Sequence, residues 1–506
     1  MKSNNNYKRY FSILLVFFTL FRILYIIYTP FTLSPDETHY WEWSRRLDLS
    51  YYSKGPMVAY VIAFFTALFG DTEFGVRAGA VFFSALTNIL IFHLGRELFH
   101  SEKVGFYGAL LSNITPIFSA GAILMTTDAP FVFFWTASIY AFKKAVDTKR
   151  PLWWYLTGIT IGLGFLSKYT MVLIYPCLLL YLAFSRDRVW LGRREPYIAS
   201  LLSLLVSSPV IYWNLTHGLV TVRHTMGQVQ VKEGLTVSLD SFLEFIGSQA
   251  GLITPIIFIG LAYGVVMCGK EGFTKKKRAS LIVFFTSAPL FGLFLAKSLH
   301  AKVQGNWAVA SYITAFIGTS YVFARLYENS GIKPRRLLSV LAGSGLFIGV
   351  AASFLVYFPW ALKPFGVKDI TSKAPYDKVS GWDELGERVG RMAGGREGKG
   401  LFIISDRYQI TSELAFYVPG HPVTYNLYNG RRRMNQYDLW PGFEDLTGFD
   451  AIYVKSGNVE AEPFVKEAFD RCERDVIFLE RGRRYFSIFR CYNFHGIKVP
   501  QSAWKF

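Results

Sequence analysis

Cysteine is scarce in this chain, with four in 506 residues. Cys177 and Cys268 sit inside apolar runs and read as small packing residues. Cys472 and Cys491 lie in a polar tail and could pair if that tail faces an oxidising compartment. No CxxC or HExxH pattern occurs, so the common zinc and thiol-redox motifs are excluded. Internal repeats and low-complexity tracts are also missing. The first apolar run, 10–28, has no small-residue cleavage site and reads as an uncleaved membrane helix rather than a signal peptide. Charged residues make up only 18% of the chain.

Hydrophobic residues fill 52% of the chain, Phe and Tyr number 46 and 30, and the net charge is +18. That charge could suit nucleic acid, but the basic residues fall between long apolar runs, which is the pattern of a polytopic membrane protein. After the first run, 57–69 is too short to span a bilayer and reads as a helix lying at its surface. Spans are expected at 76–97, 105–121, 129–145, 152–167, 169–184, 197–213, 251–268, 280–296, 306–325 and 337–358. The fold class expected is all-α and polytopic, with about 11–13 transmembrane helices. The stretch 151–184 is too long for one span. At 1.5 Å per residue it would run ~50 Å against a core of about 30 Å. It must therefore break near Gly162, Gly164 and Lys168.

With a cytoplasmic N-terminus, the cytoplasmic segments hold 22 Lys and Arg and the opposite loops hold 8, including Lys232. This positive-inside bias places the first loop, Asp128, Lys168 and the tail on the outer face. From about residue 364 the composition becomes that of a soluble domain. Strands are expected at 401–405, 451–454, 475–479 and 485–489, and helices at 412–418 and 460–471. The domains expected are a transmembrane unit, 1–363, with a first outer loop at 30–75, and an α/β domain, 364–506. The Arg431-Arg432-Arg433 run in the tail reads first as a solvated surface patch. The Asn113 and Asn214 sequons abut or lie within spans and read as chance matches.

The outer-face polar residues form a set. Residues 34–56 crowd Asp36, Glu37, Glu42, Asp48, Lys54 and five aromatics into a short loop. Asp128 lies in the short turn Met-Thr-Thr-Asp-Ala-Pro, where an ionisable group beside lipid is costly and points to function. Lys168, Arg223 and Lys302 are cations on the same face. Tyr52, His300, Asn306 and Trp307 could stack on a sugar or bind its hydroxyls. His39 and His93 read as structural. Such a set suits group transfer from a lipid-linked phosphate. Asp36, Glu37 and Asp128 are the catalytic candidates, and Lys54, Lys168, Arg223 and Lys302 would hold the donor phosphate. Asp36 and Glu37 could also hold a divalent cation, Mg or Mn. Rival readings are a lipid-linked sugar transporter or flippase, and a non-enzymatic envelope assembly protein. The first predicts matching halves and mid-span polar groups; the second leaves the clustered acids and cations unexplained.

Five motifs in register, Pro35-Asp36-Glu37 with Tyr40, Tyr51-Tyr52-Ser53-Lys54-Gly55-Pro56, the Gly70 to Arg77 stretch with Glu73, Thr127-Asp128-Ala129-Pro130, and Gly162-Leu163-Gly164 with Lys168, carry a family likeness. Over residues 10–185 the chain resembles the bacterial protein-mannosyltransferase and aminoarabinose-transferase-like family of GT-C glycosyltransferases. The segment from Ser405 to Tyr417 resembles the C-terminal periplasmic domain of some members. The resemblance implies a multi-pass inner-membrane enzyme with a periplasmic active site. It implies a polyprenyl-phosphate sugar donor, a lipid, polysaccharide or protein acceptor, and inversion at the anomeric carbon. By motif match Asp36 is the first-loop acid, Asp128 the second outer-loop acid and Lys54 the lysine contacting the donor phosphate. Ser53 stands where aminoarabinose transferases have an acidic residue, which favours a neutral hexose or an unidentified sugar over the amino sugar.

Overall fold

The computed structural model describes residues 6–229, 237–366, 375–394, 400–429 and 432–497. Lys232 and Arg431 lie outside the described residues. Within them, seven helices are long and apolar enough to cross a membrane: Asn6–Tyr28, Glu73–Phe99, Glu195–Thr216, Pro255–Lys275, Arg278–Ser298, Gly305–Asn329 and Ile332–Tyr357. An eighth arises if the bent pair Tyr169–Phe184 and Arg186–Gly192 counts as one span.

This is fewer than 11–13 for identifiable reasons. The segment expected at 105–121 is broken into Glu102–Asn113 and Pro116–Gly121, because Pro116 cannot continue the hydrogen-bond ladder of the preceding helix. Asp128–Thr148 and Pro151–Ser167 form where helices were expected, but the first carries lysines in its last turns and the second has 17 residues. Met57–Phe69 is a short apolar helix of 13 residues. The break in 151–184 falls at Lys168, whose backbone is extended, followed by a 3₁₀ turn at Tyr169–Leu173. Gly158 and Gly162 instead lie within a helix. A Cβ on Gly158 would sit 2.1 Å from the Ala199 carbonyl oxygen, so this glycine lets two helices touch backbone to backbone.

The helical core packs Phe92, Phe131, Trp135, Phe142, Ile313 and Ile317 against one another, all buried. Beyond it stands a five-stranded sheet of β1 (Leu401–Ser405), β2 (Thr424–Asn426), β3 (Asp450–Ser456), β4 (Phe469–Leu479) and β5 (Arg484–Phe494), in the order β2-β1-β3-β5-β4. β1 runs parallel to β2 and β3, while β5 is antiparallel to β3 and β4. Alternation along β1 sends Leu401 and Ile403 into one apolar layer and Phe402 and Ile404 into the other, so this strand is covered on both faces. Cys472 and Cys491 lie directly opposite each other on β4 and β5 and form a disulfide.

The helix expected at 460–471 is corrected to a single turn, Pro463–Lys466, followed by β4. Charges such as Arg471 and Glu473 looked helical. Pairing with β5 and the disulfide instead draw the segment in as a charged edge strand. The sheet unit docks on the first loop. Trp41 packs edge-on to Phe416 at 4.9 Å, Thr38 Oγ1 donates to Ser412 Oγ at 3.0 Å, and the Tyr417 hydroxyl accepts from the Leu33 amide at 2.7 Å.

Candidate active site

The Pro35–Ser44 helix starts with a capping box. Ser34 Oγ accepts from the Glu37 amide, Glu37 Oε2 accepts from the Ser34 amide at 2.9 Å, and Pro35 occupies the first turn. That cap fixes Asp36 in the first turn, where amide dipoles favour a carboxylate. Its neighbour Glu37 points elsewhere. It is 0% exposed, and Arg77 donates to both its oxygens, Nε to Oε1 at 2.9 Å and Nη2 to Oε2 at 3.0 Å. The Met125 amide also donates to Oε1 at 3.0 Å.

Glu37 therefore ties the first loop to the turn before Asp128. It has no lone pairs facing the site, which corrects its expected part in catalysis and in a shared metal site. Asp36 and Glu37 do not fit a divalent cation as a pair, because all of the second carboxylate's directions are spent on Arg77, Ser34 and Met125.

Asp36 is an exposed residue. The Tyr408 hydroxyl, from the sheet unit, donates to its Oδ1 at 3.3 Å. Protein walls around this carboxyl push it above the ordinary carboxylate range, opposed by Lys54 and by the Tyr408 bond. Lys54 lies within electrostatic reach of Asp36, Asp128 and Lys168. Burial, then the Lys168 charge, pushes its ammonium down, against the pull of the two acids. Among the described residues, no carboxylate lies within ion-pairing distance of Lys54, so its charge is available to a ligand.

Asp128 opens the Asp128–Thr148 helix. Lys168 Nζ donates to its Oδ1 at 2.5 Å and Asn306 Nδ2 to its Oδ2 at 2.7 Å. Three expected site residues, far apart in sequence, thus meet in one hydrogen-bonded cluster beside Lys54 and Asp36.

Other expected residues stand outside it. Lys302 is 73% exposed and pairs with Glu244 at 2.5 Å. Trp307 Nε1 donates to Gln304 Oε1 at 3.0 Å, and Lys297 sits 4.2 Å over its ring. His300 lies on the exposed turn before it. Tyr52 is buried under the Val220–Val229 helix, its ring 4.9 Å from that of His224, so it packs the loop instead of facing a sugar. Arg223 is an exposed residue of the same helix.

Residues 53–213, which hold Lys54, Asp128 and Lys168, match the family model described as dolichyl-phosphate-mannose-protein mannosyltransferase. Over this part the chain is similar to the protein-mannosyltransferase and aminoarabinose-transferase-like proteins. It is 29% identical over 306 residues to lipid A galacturonosyltransferase RgtD of Rhizobium johnstonii, covering 59% of this chain and 62% of that one. It is 30% identical over 223 residues to the undecaprenyl phosphate-alpha-4-amino-4-deoxy-L-arabinose arabinosyl transferase of Pseudomonas paraeruginosa, covering 40% of each. The chain thus spans less than two thirds of the length of these relatives. The fold is shared more widely. ArnT from Cupriavidus metallidurans bound to undecaprenyl phosphate superposes with a TM-score of 0.65 at 15% identity, over 97% of this chain and 99% of that chain. The archaeal oligosaccharyltransferase AglB from Archaeoglobus fulgidus gives 0.53 at 12% identity, over 88% and 70%.

Three features of the site and its surroundings escaped the sequence reading. Tyr408 reaches Asp36 from 372 residues away; its only trace was the tail segment that resembles other members. Glu42 is buried against the Tyr437 hydroxyl of the sheet unit, and burial raises its carboxyl to about 7. Arg22 interrupts the first apolar run. It is buried within the bundle, bonded to Ser84 and Asn113, so a polar group also lies inside the bundle, away from the outer-face set. A single charge inside that run was the available signal.

Proposed function

We propose that this protein is a membrane glycosyltransferase that moves a sugar from a polyprenyl-phosphate donor to a hydroxyl of an envelope lipid or glycan. The observation that carries the reading is the cluster of Asp36, Lys54 and Asp128, the last held by Lys168 and Asn306, under the sheet unit's Tyr408. A carboxylate beside a lysine that, among the described residues, has no carboxylate within ion-pairing distance supplies a proton acceptor and a phosphate anchor in one place.

In the proposed step the acceptor oxygen attacks the sugar's anomeric carbon as the bond from that carbon to the phosphate oxygen breaks. The electron pair leaves with polyprenyl phosphate, the acceptor proton passes to Asp36, and the single displacement inverts the anomeric centre. Lys54 neutralises the charge that builds on the departing phosphate. Asp128, its direction fixed by two donors, orients the reacting groups. Phosphate is a good leaving group, so the step calls for no general acid.

The printed names of the relatives, transferases acting on lipid A or using undecaprenyl-phosphate-linked sugar, support the same class. The positive-inside bias supports an inner-membrane placement with the cluster and the 364–506 domain in the periplasm, and the 1–363 unit in the bilayer.

Mass spectrometry of envelope lipids and glycans from a deletion strain tests the proposal. A sugar-sized mass missing from one class supports transfer and names the acceptor. Unchanged glycans with a lipid-linked precursor accumulating on the inner leaflet would replace the proposal with the flippase reading.

A further inference from the structure

A cavity of about 260 Å³ lies where the first loop meets the sheet unit; its lining includes Arg46, Tyr425, Trp440, Phe443 and Glu444. Pro441 and Gly442 also line it and, like Glu444, are exposed, so it opens to solvent.

Two half-buried rings, Tyr425 and Trp440, form its walls. Phe443 braces Tyr425 edge-on with ring centres 5.8 Å apart, and Tyr437 braces Trp440 edge-on at 5.4 Å. Tyr437 is itself anchored by its hydroxyl on the buried Glu42. The walls are therefore set before a ligand arrives, which spares the cost of ordering them on binding.

A cation and an anion share these walls without closing an ion pair. The Arg46 guanidinium lies 4.4 Å over the Trp440 ring. Stacking uses its flat face and leaves the N–H edge, and among the described residues no carboxylate lies within ion-pairing distance of it. Glu444 likewise has no cation within that distance among the described residues. Its carboxylate folds back over the turn at Gly442, where a Cβ would collide with Oε2. The Tyr425 hydroxyl is within electrostatic reach of both charges, which places them around one space. Asp438, also in the lining, is held by Arg432 Nη1 at 2.7 Å.

Donors and acceptors thus stand beside aromatic faces in a site whose two open charges cancel. A sugar matches this set: its hydroxyls can donate to Glu444 and accept from Arg46, while the C–H face of a pyranose packs on a ring. A simple acid would be repelled by Glu444 and a simple amine by Arg46.

The Pro35–Ser44 helix joins this cavity to the proposed base. Asp36 lies in its first turn and Arg46 just past its end, about 15 Å away at 1.5 Å per residue. A run of rings follows the same line. Tyr408, whose hydroxyl donates to Asp36, packs on His39 at 4.9 Å, His39 on Tyr437 at 5.2 Å, and Tyr437 on Trp440. A glycan of a few sugar units spans that distance.

We infer that the acceptor is an oligosaccharide and that this cavity holds one of its sugars, a few units away from the hydroxyl presented to Asp36. The inference rests on the glycosyl-transfer reading above and deepens it by naming the acceptor class and a subsite for it.

The test uses the full chain in lipid nanodiscs. The probes are oligosaccharides freed by mild acid from the envelope of the deletion strain and sorted by length, and phosphoethanolamine, a zwitterion that would answer the two charges instead. Binding is read by saturation-transfer NMR and titration, and transfer by steady-state kinetics on the same fractions. The wild type is expected to bind a longer fraction saturably. Arg46→Gln and Glu444→Gln should each weaken that binding, and raise the acceptor KM, by on the order of tenfold to a hundredfold, the weight of a hydrogen bond to a charged group. Donor KM and thermal stability should stay near wild type, which separates a lost contact from a damaged fold.

No saturable binding of any fraction by the wild type would overturn the inference, as would binding that both substitutions leave unchanged. Displacement of the sugars by tighter-binding phosphoethanolamine would overturn it and mark a zwitterion site. Binding that depends on Arg46 and Glu444 but leads to no transfer would uphold the glycan site and overturn the glycosyl-transfer reading. Transfer with an unchanged acceptor KM in both variants would do the reverse.

Discussion

The Glu37–Arg77 pair offers a prediction whose size follows from its surroundings. Arg77→Met removes a guanidinium that donates to both Glu37 oxygens and to the Thr32 carbonyl at 2.8 Å. Glu37 would keep the Ser34 and Met125 amides but lose its counterion in a fully buried site, which costs about 3–5 kcal/mol. Glu37→Gln leaves Arg77 as the uncompensated partner, at a similar cost of about 3–5 kcal/mol. The double variant removes both charges. What then remains is one or two carbonyls short of a donor, at about 1–3 kcal/mol each. The singles therefore sum to roughly 6–10 kcal/mol while the double should lose about 1–6 kcal/mol, a coupling of several kcal/mol at the centre of these ranges. Unfolding of the purified chain in detergent, followed for wild type, both singles and the double, reads this directly. Costs that add to within about 0.5 kcal/mol would refute the reasoning, because uncoupled residues behave that way.

Four further outcomes are expected. Lys54→Ala should raise the donor KM and lower turnover, with little change in acceptor KM; steady-state kinetics with each substrate varied checks this, and unchanged donor parameters would count against the phosphate role. Because its surroundings raise the Asp36 carboxyl above an ordinary Asp, it takes up a proton sooner as pH falls. Transfer should then decline at a higher pH than an ordinary Asp would give, and a rate that stays flat down to the usual carboxylate range would exclude Asp36 as base. Glu42 is raised from 4.5 to about 7, so the fold favours its protonated form, and its stabilising effect is lost as pH rises from 4.5 through about 7. Glu42→Gln should match wild type near pH 4 and exceed it in thermal stability near pH 8; the opposite order would reverse the assignment. Replacing Cys472 and Cys491 by serine should cost about 2–5 kcal/mol, concentrated in the sheet unit and readable by limited proteolysis.

Much of the site was legible because it consists of charges beside apolar runs, where composition alone makes an ionisable residue conspicuous. Asp36, Lys54, Asp128 and Lys168 were all found that way. Glu37 was misread because two adjacent acids look equivalent in a string, whereas a helix turns ~100° per residue and sends neighbours in different directions. The backbone cap that fixes Asp36 is what commits Glu37 to Arg77. Lys302 and Trp307 were placed in the site with Asn306 because they share one polar stretch, yet one pairs with Glu244 and the other with Gln304 and Lys297. Tyr408 could not be placed from spacing at all, since its approach depends on how the sheet unit docks. The break at Lys168 followed from length arithmetic, which is robust. The helix expected at 460–471 failed because charge patterning cannot tell an exposed helix from a charged edge strand.

The central claim is that Asp36 removes the proton from the acceptor. It is tested most directly by transfer with the reconstituted Asp36→Asn variant, alongside its donor binding and thermal stability. The account predicts a rate loss of about 10²–10⁴-fold, the usual share of a general base, with donor binding and stability close to wild type because the substitution conserves shape. A variant that is equally stable and transfers sugar at the wild-type rate would contradict it.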